Sequence, residues 1–211
     1  MDIIEHVLSK VGMPYVWGGQ GEKGITDEKI IGMENGNKQQ AARVIKFIND
    51  KRKNLEFFDC SGIITTYMLS RGYITRDTTA DGLYRQCDKI TGEPKNGDFT
   101  FRINSNGKAY HIGVYHNGYV THAKGRDDGV VTEKYNNKFW NDVRRHPKIK
   151  GEIGLKEVVL SDTGKPYKYN YAIELLQSAL YMLGYDIGTV DGKCGQKTMD
   201  AVKRFCLKNG G

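Results

Sequence analysis

The chain has 211 residues, of which 38% are hydrophobic and 27% charged, with 26 Gly, 4 Pro and 4 Cys. This composition indicates one large or two unequal globular domains, and it excludes disordered, collagen-like and disulfide-stapled proteins. The net charge of +7 favours polyanionic partners. The basic residues are scattered and form no recognised nucleic-acid motif, so we expect association with anionic polymers other than nucleic acid.

No stretch approaches the about 20 consecutive apolar residues that a membrane helix requires. The first residues, MDIIEHVLSK, also lack the basic and apolar regions of a signal peptide. We therefore expect no stable membrane insertion and no secretory address.

The first half of the chain carries apolar residues at helical spacing. We predict helices over residues 2–11, around Ala41 to Ile48, from about 60 to 71 and over 79–87, whereas residues 21–37 resemble a loop. After Gly97 the period changes to two, which predicts strands over 98–103, 109–116, 119–124 and 129–134. Helices followed by an antiparallel sheet indicate an α+β fold.

Helical spacing returns after a small, polar segment at 161–166, which is the best linker candidate. We predict one apolar stripe and one further helix there, with inward-facing residues Ile173, Leu176, Leu180, Leu183, Ala201, Val202 and Phe205. The chain therefore reads as a larger α+β domain followed by a small helical one.

Cys60 stands at the predicted start of a helix. A thiol is a useful nucleophile only as a thiolate, and the unpaired N–H groups of a helix N-terminus favour that form. The alternative is a buried structural cysteine, because cysteine is among the most buried residue types.

Asn117-Gly118 is a strong signal for a two-residue hairpin turn, and it lies between two predicted strands. In that register His122 lies opposite Gly113, so His111 and His122 share one face as diagonal neighbours. His116 falls on the other face, which argues against a three-histidine metal site. The alternative is a pair of cross-strand polar residues without catalytic function.

Five ordered blocks, PYVWGG at 14–19, DCSG at 59–62, GDFTF at 97–101, HIGVY at 111–115 and HA at 122–123, resemble the NlpC-type cell-wall cysteine peptidases. These enzymes are papain-like, and the resemblance covers about residues 1–135. It implies that Cys60 is the nucleophile, His111 the general base and later acid, and His122 the residue that orients His111. No metal or cofactor is implied.

The same resemblance implies that Tyr15 lines the site near the oxyanion and that Asp59 and Ser61 help to hold the substrate. The family cleaves amide bonds in bacterial peptidoglycan, most often the bond from D-glutamate, through its γ-carboxyl, to the diamino acid. Two other functions stay open, namely an N-acetylmuramoyl-L-alanine amidase with the same site and a catalytically silent wall-binding protein.

Residues 170–211 are similar to a small helical peptidoglycan-binding domain, through Leu176-Gln177, Leu183-Gly184-Tyr185, Asp191-Gly192 and Ala201-Val202 among others. The chain ends where that domain usually continues into a third helix, which implies a shortened module. The expected organisation is a catalytic domain at 1–155, a linker at 156–169 and this module at 170–211.

The catalytic domain departs from the family pattern by an insert at about 20–54. This insert is either a surface decoration or a wall of the substrate cleft. A wall-degrading domain, a wall-binding module and no export signal together suggest a phage endolysin, held in the cytoplasm until release and then acting at the cell wall.

Overall fold

The structure is a computed structural model that describes residues 1–48, 55–149 and 171–209. The chain divides into two compact units, Met1–Gly154 and Leu155–Gly211. The predicted linker at 156–169 lies outside the described residues. No helix in the described ranges is long and apolar enough to cross a membrane.

The first unit combines helices with an antiparallel sheet, so the predicted α+β class is confirmed. Its helices are α1 (Ile3–Leu8), α2 (Asp27–Met33), α3 (Lys38–Ile48), α4 (Gly62–Ser70) and α5 (Ala80–Gln86). Its strands are β1 (Gln20–Lys23), β2 (Glu56–Phe58), β3 (Asp88–Lys89), β4 (Phe99–Ile103), β5 (Ala109–His116), β6 (Tyr119–Gly125), β7 (Gly129–Lys134) and β8 (Asp142–Arg145).

The main sheet has six strands in the order β3-β8-β4-β5-β6-β7, and each neighbouring pair is antiparallel. The four predicted strands correspond to β4 to β7. Strands β3 and β8 were not predicted, because segments of two and four residues are too short to display a period. In this strand order β5 lies between β4 and β6, and β6 lies between β5 and β7. The site residues on β5 and β6 are thus on central strands.

The prediction of a loop at 21–37 was wrong, because this segment contains α2 and most of β1. Thr26 caps α2 by accepting a hydrogen bond from the backbone N–H of Lys29 at 3.2 Å. Only Ile30 of this helix is buried, so seven residues carry too few apolar positions to reveal helical spacing.

Two adjacent residues of β2 face two different hydrophobic cores. Phe58 packs in the core shared by α1, α4 and the main sheet, whereas Phe57 packs among Val16, Ile30 and Val44 of the insert core. Successive side chains of a strand point to opposite faces, which explains this division. The insert is thus an integral part of the unit, with a core of its own.

The second unit contains α6 (Tyr171–Met182) and α7 (Gln196–Asn209), in agreement with the predicted helical region. Leu180, Ile187 and Ala201 form its small core. Two predicted inward-facing residues were wrong: Leu183 lies just beyond α6 and is 61% exposed, and Phe205 of α7 is 36% exposed.

Gln177 ties the connection between α6 and α7 to the two helices. Its amide nitrogen donates to the Asp191 carboxylate, the Lys193 carbonyl and the Thr198 hydroxyl at 2.9–3.1 Å. Its oxygen accepts from the backbone N–H groups of Asp191 and Gly192 at 3.0 and 2.8 Å. The side chain is 1% exposed, so these bonds replace hydration that burial removes.

We expect Gln177→Ala to destabilise the second unit by about 1–3 kcal/mol, because it leaves several buried polar groups unpaired. Hydrogen-exchange mass spectrometry on the full chain should detect faster exchange in peptides from 171–209. Gln196→Ala is the matched control, since in the described part of the chain the Gln196 side chain bonds only Asp200, on the exposed surface of α7. Equal exchange in the two variants would contradict the assigned role.

Candidate active site

The turn before α4 is organised by the carboxylate of Asp59. Its Oδ1 accepts hydrogen bonds from the Ser61 N–H at 2.9 Å, the Ser61 hydroxyl at 3.0 Å and the Gly62 N–H at 2.6 Å. Its Oδ2 accepts from the Gly18 N–H at 3.0 Å. Asp59 and Ser61 therefore bond to each other, and Asp59 also bonds to the backbone around Cys60. These bonds fix the conformation of the turn.

Tyr15 is brought beside this turn by backbone pairing with β2. The Val16 N–H donates to the Phe58 carbonyl at 3.0 Å, and the Phe58 N–H donates to the Pro14 carbonyl at 3.1 Å. Tyr15 is 7% exposed, and burial raises its pKa, as does the nearby Asp59 carboxylate. The phenol is accordingly a neutral hydrogen-bond donor next to the thiol.

Gly62 allows this close approach. A Cβ at Gly62 would lie 1.9 Å from the carbonyl oxygen of Gly19, which is backbone and cannot move aside cheaply. A side chain at Gly62 would therefore push apart the segment that carries Tyr15 and the turn that carries Cys60.

Burial dominates the electrostatics of Cys60. It raises the pKa of the thiol to about 12, and the Asp59 carboxylate acts in the same direction. The backbone N–H groups of Ser61 and Ile112 favour the thiolate but do not outweigh burial. The helix start alone therefore does not ionise this thiol, and a base must remove the proton during attack.

The two histidines predicted to be neighbours form a direct hydrogen bond. Asn117 and Gly118 adopt φ angles of 47° and 82°, as the two-residue turn requires, and Tyr115 lies opposite Val120. The Nε2 atom of His111 lies 2.7 Å from Nδ1 of His122. The predicted pairing of β5 with β6, which brings the two histidines together, is thus confirmed.

Gly113 provides the room between these rings, as the sequence predicted. A Cβ at Gly113 would lie 3.1 Å from the Cβ of His122 and 2.5 Å from Cγ1 of Val120. His116 bonds the Thr121 hydroxyl at 2.8 Å, and Thr121 alternates with His122 along β6. His116 therefore lies on the other face, as predicted.

Both rings are neutral bases at pH 7. Burial, the neighbouring His122 and the Arg102 charge together lower the pKa of His111 to about 3. Burial also lowers the pKa of His122, partly opposed by Glu133. A neutral His111 is the protonation state that a general base requires.

Glu133 on β7 extends the histidine pair. Its Oε2 lies 3.1 Å from Nε2 of His122, and its Oε1 accepts from the Lys124 ammonium at 2.8 Å. A carboxylate only accepts, so the proton of neutral His122 resides on Nε2 and its Nδ1 accepts from Nε2–H of His111. This assignment leaves Nδ1 of His111 without a proton, available as the base.

Trp140, just before β8, fixes the planes of both rings. Its ring stacks on His111 at a centroid distance of 5.4 Å and an angle of 14°, and meets His122 edge-on at 5.0 Å. Trp140 is 3% exposed, so water is excluded from this side of the pair. Neither Trp140 nor Glu133 was identified from the sequence, although the register of β6 with β7, once known, would have pointed to Glu133.

The insert contacts the site through Glu34, which follows α2 and is 4% exposed. Its carboxylate accepts from the Trp17 N–H at 3.0 Å and from Nε of Arg126 at 2.9 Å. The Arg126 guanidinium lies 5.3 Å from the centre of the Tyr15 ring. The insert thereby braces the segment that carries Tyr15.

The described part of the chain contains no group of three His, Cys, Asp or Glu side chains that could hold a metal ion. The Cys60 thiol lies beside the Ile112 backbone, one residue from the neutral base His111, which has an orienting imidazole with its carboxylate; a neutral phenol lies near the thiol. That combination is suited to acyl transfer by a cysteine nucleophile.

Comparisons with protein families give two matches. The model of the NlpC/P60 family matches residues 12–147, which is more than half of the chain. The model of a putative peptidoglycan binding domain matches residues 170–210. A comparison with curated protein sequences finds no match.

Solved structures give weaker similarities. The P60 domain of an antigen from M. avium subspecies paratuberculosis is 19% identical, with a TM-score of 0.48 over 71% of this chain and 93% of that domain. RipB, a peptidoglycan hydrolase from Mycobacterium tuberculosis, is 22% identical, with a TM-score of 0.46 over 68% of this chain and 61% of RipB. RipD from the same organism, a non-catalytic NlpC/p60 domain protein, is 19% identical, with a TM-score of 0.45 over 68% and 92%.

Proposed function

The chain belongs to the NlpC/P60 family, and on this premise we propose that it is a cysteine endopeptidase of peptidoglycan. The proposed substrate is the stem peptide, cut at the bond from the γ-carboxyl of D-glutamate to the diamino acid. The observation that carries the proposal is the hydrogen-bonded His111–His122 pair on the sheet that packs against α4, with Cys60 at the start of that helix.

In the proposed mechanism, Nδ1 of His111 takes the thiol proton as the sulfur of Cys60 attacks the amide carbonyl. The Cys60 backbone N–H and the Tyr15 hydroxyl stabilise the oxyanion of the tetrahedral intermediate. The C–N bond then breaks, His111 gives its proton to the leaving amine, and a thioester remains on the sulfur. Water, deprotonated by His111, attacks the thioester; the C–S bond then breaks, the product leaves with a free carboxylate, and the proton on His111 returns to the sulfur.

Digestion of purified sacculi followed by mass spectrometry of the released fragments tests this proposal. Wild-type and Cys60→Ala proteins are incubated with sacculi of different stem-peptide types. We expect fragments that end at D-glutamate, released only by the wild-type protein. Release of intact stem peptides would instead make the protein an N-acetylmuramoyl-L-alanine amidase.

Absence of fragments from every sacculus, with folded protein still sedimenting with the wall, would favour a silent wall-binding protein. This outcome is a real alternative, because a non-catalytic protein occurs among the similar structures. The Cys60→Ala protein serves in the same assay to separate binding from cleavage.

We also propose that residues 170–211 hold the enzyme on peptidoglycan and that the whole protein acts as a phage endolysin. The match of this segment to a putative peptidoglycan binding domain supports the first part. Expression inside a sensitive bacterium should leave culture turbidity unchanged until the membrane is permeabilised, and lysis should then be rapid. Lysis without permeabilisation would contradict the endolysin role.

We predict that Glu133 is a positioning residue whose loss lowers kcat by about 10- to 100-fold, by analogy with other partners that orient a catalytic imidazole. Glu133→Ala removes the acceptor that keeps the His122 proton on Nε2. Glu133→Gln offers an amide oxygen to the same atom and should restore much of the rate.

Lys124→Ala is the control for Glu133, because it removes the exposed ion pairs of Lys124 with Glu133 and Asp128 and leaves the Glu133 carboxylate beside His122. We expect it to retain nearly full activity. Equal rates for Glu133→Ala and the wild-type protein, or failure of Glu133→Gln to exceed Glu133→Ala, would refute the assignment.

A further inference from the structure

A β-bulge between β4 and β5 places a cation beside His111. Arg102 lies opposite His111, and the next pair joins Ile103 to Ala109, so both Tyr110 and His111 oppose Arg102. Bulges re-aim side chains and are common next to active sites. Here the bulge disturbs the strict alternation of β5 and brings Tyr110 to the side of Arg102.

The guanidinium of Arg102 is held between two aromatic rings. It lies 4.2 Å from the centre of the Phe139 ring and 5.1 Å from that of Tyr110. Phe139 in turn meets Trp140 edge-on at 5.1 Å, and Trp140 stacks on His111. The cation is therefore connected to the catalytic imidazole through a continuous set of rings.

Within residues 1–48, 55–149 and 171–209 the guanidinium of Arg102 forms neither an ion pair nor a hydrogen bond, so its charge has no partner among these residues. The flanking rings are accessible, with Phe139 37% and Tyr110 50% exposed. A planar guanidinium held flat against aromatic rings keeps its N–H groups free to bind a carboxylate in a bidentate manner.

The position of Arg102 relative to the scissile bond follows from the role of His111. In the proposed mechanism the acyl half of the substrate becomes bonded to Cys60, and the amine half leaves with the proton of His111. Groups that lie beside His111 and away from Cys60 therefore face the amine half. Arg102 pairs with His111 across β4 and β5, and Phe139 contacts Trp140, which stacks on His111, so we place this cluster on the amine side.

We propose that Arg102 forms a subsite for a free carboxylate on the amine half of the cleaved amide, with Tyr110 and Phe139 as its walls. The inference rests on the proposed function and adds a substrate class to it. Peptides whose diamino acid portion bears a carboxylate are preferred over the corresponding carboxamides.

Two synthetic stem peptides that differ only in this carboxylate or carboxamide test the subsite. We expect the wild-type protein to prefer the carboxylate peptide by about 10- to 100-fold in kcat/KM, because one charge-assisted contact gives a preference of this size. The difference should lie mainly in KM. Arg102→Met should remove the preference, so that the kcat/KM values for the carboxylate and carboxamide peptides become similar. Arg102→Lys should retain part of it, because a lysine supplies charge without the planar fork.

Arg71→Met is the matched control, since Arg71 is also a cation over an aromatic ring, 5.8 Å from that of Tyr67, next to α4. It should keep the full preference. A wild-type protein that does not discriminate between the peptides, or an Arg102→Met variant that keeps the full preference for the carboxylate, would overturn the proposal.

Binding of the amine-half product to Cys60→Ala protein separates this inference from the proposed function. Calorimetry with the carboxylate and carboxamide forms of that product requires no catalysis. Preference for the carboxylate that disappears with Arg102→Met supports the subsite even if no peptide is cleaved. Equal binding of the two forms refutes the subsite even if cleavage is efficient.

Discussion

Replacing His111 with alanine should lower the rate of stem-peptide hydrolysis by about 10³-fold or more, the largest effect on activity that we expect from a histidine of this protein. Burial keeps the Cys60 thiol protonated, with a pKa of about 12, so attack depends on a base that removes the proton. His111 is the imidazole whose second nitrogen is left free by the His122 hydrogen bond. Fragment release from sacculi, measured as an initial rate, provides the test.

His116→Ala is the control for this experiment. His116 lies on the same strand and is 6% exposed, but its ring bonds Thr121 on the opposite face. We expect this variant to lose some stability and to keep most of its activity. Similar losses of activity in the two variants, with both proteins folded, would show that His111 acts only through the fold.

Glu34→Ala should lower the free energy of unfolding by about 3 kcal/mol, because it leaves the guanidinium of Arg126 without its partner in a largely buried position. The Glu34 side chain is 2% exposed and that of Arg126 19%. The variant also removes the acceptor for the Trp17 N–H. Urea denaturation monitored by tryptophan fluorescence measures the effect, since Trp17 and Trp140 both lie in the first unit.

Arg43→Ala is the matched control, since Arg43 also links the insert to the connection between β6 and β7. Its Nε bonds both carboxylate oxygens of Asp127 at 3.0 and 3.1 Å, but the two side chains are 47% and 59% exposed. An exposed pair contributes at most about 1 kcal/mol. Equal losses of stability in Glu34→Ala and Arg43→Ala would contradict the argument from burial.

Glu34→Ala also separates the two interpretations of the insert. Glu34 joins the insert to the segment that carries Tyr15. If the insert is a wall of the cleft, loss of this bond should change KM or the cleavage pattern. A surface decoration should change stability alone. Deletion of residues 24–51 from a protein that still folds, with no change in the cleavage pattern, would rule out the wall.

Local patterns were sufficient to predict β4 to β7, the Asn117-Gly118 turn and the meeting of His111 with His122. These features depend on strand alternation and on a two-residue turn, and both operate between residues close in sequence. The space at Gly113 follows for the same reason, because the register alone sets which residues surround it.

Tertiary structure decided the surroundings of that pair. Glu133 and Trp140 reach the histidines through the pairing of β6 with β7 and the path of the chain into β8, and neither contact has a local signature. The bond from Glu34 to Arg126 joins residues 92 positions apart. The bulge at Tyr110 likewise cannot be read from hydrophobic alternation.

The ionisation state of Cys60 illustrates the difference most clearly. Its place at a helix start is readable from the sequence and favours a thiolate, whereas burial beside Asp59 raises its pKa. Burial depends on every element packed around the thiol, so it is a property of the whole fold. The motifs along the chain identify which groups can react, whereas the packing of the fold sets their protonation, their orientation and the side chains that line the cleft.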